Sequence, residues 1–107
     1  MTHDHAMVFI PPSVPEQAIS DWVHARLEPL FEVEFEAYDL DTVDDKSTLF
    51  PAAQAAHLLA DRYLQHVMTP DGEWHREGWN RSTWPNQMRL WLESYSDHQV
   101  MLVYVNT

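Results

Sequence analysis

The sequence predicts an α+β domain: a small three-stranded sheet with helices packed on one face, in the order β-α-β-α-α-β. Apolar residues recur at helical spacing in three segments and form strand-like runs in three others. The hydrophobic content of 45%, with five Trp, is too high for a disordered chain despite a net charge of −11. Because 107 residues leave room for one core, we expect a single domain over residues 1–107, with residues 1–5 frayed.

The first strand and first helix are separated by prolines. Ala6–Ile10 is an apolar run that Pro11 and Pro12 stop, which indicates a strand. Ser13–Glu16 has the S-x-x-E form of a capping box, so a helix is expected to begin there and to end near Glu28. Its apolar stripe is Ile19, Trp22, Val23, Leu27 and Leu30.

The second strand is predicted by alternation over Phe31–Ala37. Phe31, Val33, Phe35 and Ala37 alternate with Glu32, Glu34 and Glu36, a pattern typical of a half-buried strand with one carboxylate face. An acidic loop from Asp41 to Lys46 follows.

Two further helices are predicted beyond that loop. Ser47 or Thr48 is expected to cap the first, which runs to a turn at Thr69–Gly72 and has the inner face Ala53, Ala56, Leu59, Ala60, Tyr63, Leu64 and Val67. Residues 73–83 suggest no regular structure. The last helix is expected from Thr83 or Trp84 to about Tyr95, with Trp84, Met88, Trp91, Leu92 and Tyr95 on one side.

The last strand, Val100–Val105, is apolar on both faces, which places it in the middle of the sheet. A helix, the Trp-rich segment or a second protomer then has to cover its other face. We therefore expect a monomer or a homodimer.

Acidity is concentrated in one segment that contains no Lys or Arg. Its eight carboxylates are Glu28, Glu32, Glu34, Glu36, Asp39, Asp41, Asp44 and Asp45. On a strand, Glu32, Glu34 and Glu36 would form a row ~6.6 Å apart, which resembles the regular charges of a nucleic-acid backbone. We expect this surface to bind a partner protein, for example one with a basic nucleic-acid-binding groove, and not duplex nucleic acid. The alternative is a solvated sheet face.

The second candidate surface is the Trp/Arg segment over residues 74–91. Aromatic and Arg side chains are typical anchors of protein interfaces. The residues concerned are Trp74, Arg76, Trp79 and Arg81. The alternative is that these aromatic rings close the core.

Catalytic and metal-binding patterns are absent from the sequence. There is no Cys and there are two Gly, so thiolate chemistry and phosphate-binding loops are excluded. His57 and Asp61 are four residues apart on the second predicted helix, but no third ligand accompanies them at a suitable spacing. We expect no cofactor, no metal and no enzyme; a small enzyme using a pocket at His57 is the alternative.

In size, lack of Cys and concentrated acidity, the chain resembles the small acidic accessory proteins of bacteriophages. This resemblance implies an inhibitor-type protein that binds a host protein. Some proteins of this group act as DNA mimics. The sequence has no apolar run long enough to span a membrane and no signal-peptide pattern at its N-terminus, so a cytoplasmic protein is expected.

Overall fold

A computed structural model describes residues 3–39, 49–58, 64–78 and 82–106. Within these ranges the chain forms six strands and three α-helices, and short 3-10 helices at Glu16–Ala18 and Glu28–Leu30 flank the first α-helix. The elements are β1 (His3–Ile10), α1 (Ile19–Leu27), β2 (Ala37–Asp39), β3 (Leu49–Pro51), α2 (Ala52–Leu58), β4 (His66–Met68), β5 (Trp74–Arg76), α3 (Trp84–Ser94) and β6 (Gln99–Asn106).

The strands form one mixed sheet in the order β2-β6-β1-β4-β5. β1 pairs antiparallel with β6 along its whole length and parallel with β4. β2 and β3 both pair with the other edge of β6, at its two ends. β6 is therefore central, as the sequence predicts. β1 begins at His3, so residues 3–5 lie in the sheet, where fraying was expected.

The fold is compatible with the predicted α+β class, but the predicted small three-stranded sheet with helices on one face is wrong. The described residues form six strands, and helices cover both faces of the sheet. α1 packs on the face formed by Ala6, Val8, Ile10, Met101, Val103 and Val105. α2 and α3 pack on the opposite face, formed by Met7, Phe9, Val67, Val100 and Leu102. The physical reason is that β1 and β6 are apolar on both sides and both sides must leave water.

The predicted strand Phe31–Ala37 is also wrong, because residues 32–34 form a turn and only Ala37–Asp39 pairs with the sheet. Backbone hydrogen bonds within the segment replace the ladder that a strand would make: the N–H groups of Val33 and Glu34 donate to the carbonyl of Leu30. The alternation of apolar residues with Glu in this segment therefore does not correspond to a strand.

The prediction of a long second helix is wrong at both ends, because Leu49–Pro51 and His66–Met68 are strands. The expected caps Ser47 and Thr48 and the inner-face residues Leu59, Ala60 and Tyr63 lie outside the described residues. α2 is described over seven residues and buries Ala52 and Ala55, whereas Ala53 is exposed. Val67, expected on the helix, lies in β4, which pairs with β5 in a hairpin. The predicted turn at Thr69–Gly72 connects these two strands, and the Gly72 N–H donates to the Thr69 carbonyl. Gly72 has a φ of 88°, which suits a residue without a Cβ.

The structure confirms the prediction of the last helix. α3 runs from Trp84 to Ser94 with Pro85 in its first turn. Its expected apolar side packs in the core: Trp84, Met88, Trp91, Leu92 and Tyr95. In the described part of the chain, no helix has the length and apolar character that crossing a membrane requires.

Candidate functional site

The segment from Glu28 to Glu36, called here the acidic turn, is held by its own backbone. The Phe31 N–H donates to the Glu28 carbonyl at 3.1 Å, and the Glu32 N–H donates to the Phe35 carbonyl at 2.8 Å. Glu32 has a φ of 66°, in the left-handed region that residues with a Cβ seldom adopt. The Glu36 N–H donates to the Asn106 carbonyl at 2.7 Å, which ties the end of the turn to β6.

The acidic turn exposes apolar side chains among carboxylates. Phe31 is 44% exposed and Val33 is 74% exposed, whereas Phe35 packs in the core. They account for two of the three large hydrophobic residues that are exposed in the described ranges. Exposed acidic side chains flank them: Glu28, Glu32 and Glu36.

Glu34 is the member of the acidic turn that faces the sheet. Its carboxylate lies 3.3 Å from Nε of Arg76, and Nη2 of Arg76 donates to its backbone carbonyl at 2.9 Å. β5 thereby holds the acidic turn at its middle through one guanidinium.

The structure brings half of the predicted acidic set into one turn. Glu28, Glu32, Glu34 and Glu36 lie within it, and Asp39 is the last residue of β2. Asp41, Asp44 and Asp45 lie outside the described residues. The regular row of charges expected on a strand is not formed. Residues 32–34 form a turn in which the Glu32 side chain is exposed, whereas the Glu34 carboxylate contacts Arg76.

The described tryptophans of the Trp/Arg segment pack inward, whereas Arg76 is exposed. Trp74 stacks on His66 at a centroid distance of 5.2 Å and contacts Phe35 at 5.5 Å. Trp84 is buried, and its indole N–H donates to the Leu64 carbonyl at 2.7 Å. These contacts agree with the alternative in which the aromatic rings close the core.

A groove of about 570 Å³ remains between β5 and α3, lined by Trp74, His75, Arg76, Thr83, Trp84, Gln87 and Trp91. The His75 ring contacts the Trp91 ring inside this groove, at a centroid distance of 4.6 Å. Trp79, Arg81 and Asp61 lie outside the described residues. His57 lies on α2.

Sequence reasoning missed a second acidic site, called here the Asp4–His66 cleft. This cleft of about 310 Å³ is lined by Asp4, Gln65, His66, Arg76, Glu77 and Gly78. Nε2 of His66 lies 3.0 Å from Oδ2 of Asp4, across the parallel pair β1 and β4. Three polar residues are buried in the described chain, His66, Thr69 and Glu77, and two of them line this cleft.

His66 is 5% exposed, and burial lowers its pKa although the hydrogen bond and charge of Asp4 oppose that shift. The neutral ring donates its Nε2 proton to Asp4, so that Nδ1 carries a lone pair. This Nδ1 is buried and has no hydrogen-bond partner among the described residues. An unmade buried hydrogen bond costs on the order of 1–3 kcal/mol.

A sequence signal for the cleft exists but is weak. Asp4 is a polar residue two positions before the apolar run Ala6–Ile10, and His66 lies in a stretch that helical spacing also fits. The two residues are 62 positions apart, and only the parallel pairing of β1 with β4 brings them together.

The described residues contain no group of three or more His, Asp or Glu placed to hold a metal ion. A scan against protein-family models and searches of curated proteins and solved structures found no match to this chain.

Proposed function

We propose that the protein is a small acidic binding module that recognises a partner protein through the acidic turn. The observation that carries this proposal is the exposure of Phe31 and Val33 among the carboxylates of Glu28, Glu32 and Glu36. Sequence periodicity alone would have buried both apolar side chains.

The composition of the acidic turn suits a protein interface. Burial of an apolar side chain of this size against a partner contributes about 1.5–3 kcal/mol, so Phe31 and Val33 are the anchors. The surrounding carboxylates steer a partner with a basic rim and exclude acidic competitors. The partner that fits is a protein with an apolar pocket flanked by Lys or Arg.

The rigidity of the acidic turn supports the same role. Its backbone hydrogen bonds and the Arg76 contact hold Glu34 and its neighbours before any partner arrives. A surface that is ordered in advance loses less conformational entropy on binding.

The resemblance to phage accessory proteins suggests a host protein as the partner and the cytoplasm of the host cell as the location. A nucleic-acid-binding host protein has the basic rim that this proposal requires. Mimicry of a regular phosphate backbone rested on the row of Glu32, Glu34 and Glu36, which the turn interrupts. Mimicry therefore stays a prediction and is not the form of recognition that we propose.

The test compares capture of host-lysate proteins by the full-length chain and its variants, at about 0.05 M and about 0.3 M salt. Reversal of the flanking charges, Glu28→Lys with Glu32→Lys and Glu36→Lys, should abolish capture at low salt. Replacement of the anchors, Phe31→Ser with Val33→Ser, should abolish capture at both salt concentrations. The charge reversal should change the free energy of unfolding by less than about 0.5 kcal/mol, because its three side chains are exposed. The anchor replacement should lower this free energy by about 1 kcal/mol, because Phe31 is 44% exposed and part of its ring is covered.

Matched controls lie outside the acidic turn. Leu90→Ser removes an exposed apolar side chain of α3, which is 54% exposed. A triple reversal at Glu16, Glu73 and Glu93 changes the net charge by the same amount on exposed positions elsewhere. Both controls should retain the captured protein. If the control variants lose the captured protein as fully as the acidic-turn variants do, binding depends on the overall charge or exposed apolar surface of the chain, and the proposal fails.

A further inference from the structure

We propose that the outer edge of β5 accepts one further strand, an extended basic segment of a partner protein. β5 is the last strand in the order β2-β6-β1-β4-β5, so one of its sides has no neighbouring strand among the described residues. The edge of a sheet presents backbone N–H and C=O groups to which another chain can pair. This surface uses other residues than the apolar anchors of the acidic turn, and the inference does not depend on the partner proposed for that turn.

The register of β5 with β4 decides which backbone groups face outward. The Thr69 N–H donates to the Glu73 carbonyl at 3.1 Å, so these two residues form a hydrogen-bonded pair. Bonded and unbonded pairs alternate along an antiparallel ladder, so His75 also bonds to β4, whereas Trp74 and Arg76 point their N–H and C=O groups away from it. No backbone group of the described residues bonds to them on that side. Two outward pairs of N–H and C=O groups are therefore available at this edge.

A groove borders this edge on its α3 side. Cross-strand neighbours place their side chains on the same face of a sheet, so a residue of the added strand beside His75 points into the groove between β5 and α3. The groove has a volume of about 570 Å³, and its lining includes Gln87 and the contacting rings of His75 and Trp91. Aromatic rings suit the apolar stem and the ammonium group of Lys, and the Gln87 amide oxygen can accept a hydrogen bond from that group.

Charge selects a basic segment over an acidic one or a second copy of this chain. Glu73 lies on the groove side, 3.9 Å from Nε2 of His75, and its side chain is 70% exposed, so it can pair with a Lys in the groove. On the other face, Glu34 offsets the charge of Arg76 at 3.3 Å. The net charge of −11 attracts a basic segment and repels an acidic segment or a second copy. The segment that fits therefore alternates Lys, on the His75 face, with an uncharged residue such as Thr, on the Arg76 face.

The test is a titration of the full-length protein with the capped pentapeptide Thr-Lys-Thr-Lys-Thr, followed through the backbone amide resonances and their exchange with solvent. We expect a saturable shift in β5 and at least about tenfold slower exchange of the Trp74 and Arg76 amides at saturation. The His75 amide, which already bonds to β4, is the internal control and should change less. Absence of a saturable shift at about 5 mM peptide would overturn the proposal. Binding of capped Thr-Glu-Thr-Glu-Thr within about tenfold of the Lys peptide would contradict a basic partner.

Methylation of selected peptide nitrogens separates backbone pairing from attraction between charges. In an antiparallel pair, the peptide residues opposite Trp74 and Arg76 exchange hydrogen bonds with them, and these are the Thr residues. Methyl groups on the Thr nitrogens should then abolish binding, whereas methyl groups on the Lys nitrogens should leave it intact. The reverse result supports a parallel pair, in which the neighbouring residues of the peptide supply the bonds. Equal effects of the two methylation patterns would show that no ladder forms and would refute the proposal.

Two variants of one residue make the same comparison on the protein. Arg76→Pro removes an outward N–H, whereas Arg76→Ala removes the same side chain and keeps that N–H. Both variants lose the contact with Glu34, so their difference isolates the backbone group. Arg76→Pro should bind the Lys peptide at least about tenfold more weakly than Arg76→Ala does, and equal binding would count against the edge. If thermal denaturation shows that Arg76→Pro does not fold, the methylated peptides decide the question on the parent chain.

Two further measurements distinguish this edge from the acidic turn and from self-association. Phe31→Ser with Val33→Ser should bind the Lys peptide as the parent chain does, even where it no longer captures a lysate protein. Loss of peptide binding in that variant would assign the peptide to the acidic turn and overturn the proposal. Slower exchange of the Trp74 and Arg76 amides at rising protein concentration, without peptide, would assign the edge to a second copy and overturn it too.

Discussion

The acidic turn and the Asp4–His66 cleft use the same residue types in opposite surroundings. In the acidic turn, Glu28, Glu32 and Glu36 are exposed and the backbone bonds to itself. In the cleft, His66 and Glu77 are buried, and Asp4 joins two strands that are far apart in the sequence. Arg76 touches both regions, since it lines the cleft and holds Glu34 of the acidic turn.

Burial decides whether a charged side chain contributes mainly to recognition or mainly to folding. Water screens the exposed carboxylates, so changing them affects recognition more than folding. A buried imidazole and its partner are coupled to the packing around them, so changing either one affects folding directly. Three predictions test this division, in addition to the binding experiments above.

The largest effect is expected for His66→Ala. The substitution removes the ring that stacks on Trp74 and the partner of Asp4, and it leaves a cavity at a buried position. We expect a loss of about 2–4 kcal/mol in the free energy of unfolding. Val33→Ala in the acidic turn should change this free energy by less than about 0.5 kcal/mol. Urea denaturation measures both, and a similar loss in the two variants would refute the division between the regions.

The second prediction concerns pH. Burial lowers the pKa of His66 below its usual 6.5, with Arg76 acting in the same direction and Asp4 and Glu34 against it. Between the lowered value and 6.5 the unfolded chain binds more protons than the folded chain, so stability rises with pH in this window. The contribution of His66 is complete above pH 6.5 and declines as the pH falls below it.

The measurement is urea denaturation at several pH values between about pH 5 and pH 8, for the parent chain and His66→Phe. Phe keeps an aromatic ring beside Trp74 but does not titrate, so its unfolding should depend less on pH in this range. Asp71 does not disturb this measurement. Hydrogen bonds from Thr69 and the Glu73 N–H lower the pKa of Asp71 from 3.8, so its contribution to stability is lost only at pH values below the measured range. An unchanged pH dependence in His66→Phe would assign the effect to other groups.

The smallest effect is expected for Glu32→Gly. Glu32 adopts a φ of 66°, which costs a residue with a Cβ about 1–2 kcal/mol, and glycine removes this cost while gaining freedom in the unfolded chain. We expect a net gain of up to about 1 kcal/mol in stability, measured by denaturation. Glu93→Gly, near the end of α3, is the control and should lose stability because its backbone is helical. A loss in Glu32→Gly as well would show that the left-handed conformation is not strained.

Local patterns predicted some elements because their signals agree with one another. α3 combines Pro85 in the first turn with an apolar stripe that ends at Tyr95, and both features appear in the structure. β6 is apolar on two faces and lies in the middle of the sheet. The acidic turn lacked such agreement, since Pro29 and local hydrogen bonds to Leu30 favour a turn where alternation favours a strand.

The candidate site was predicted only in part for the same reason. Acidic composition identified Glu28, Glu32, Glu34 and Glu36 as a group, and they lie together in one turn. Their role as a rim around Phe31 and Val33 could not be predicted, because alternation places those side chains in the core. The short strands β3, β4 and β5 were missed, since three residues are too few to show a period.

The sequence by itself determined the properties that depend on composition and near neighbours: the strong acidity, the lack of thiol chemistry, the turn at Thr69–Gly72, α3 and the central strand β6. The tertiary structure alone decided which residues meet across long separations. It placed helices on both faces of the sheet, joined Asp4 to His66, and linked Arg76 to Glu34. Such contacts depend on strand order and register, which the burial of the whole chain selects and no local pattern encodes.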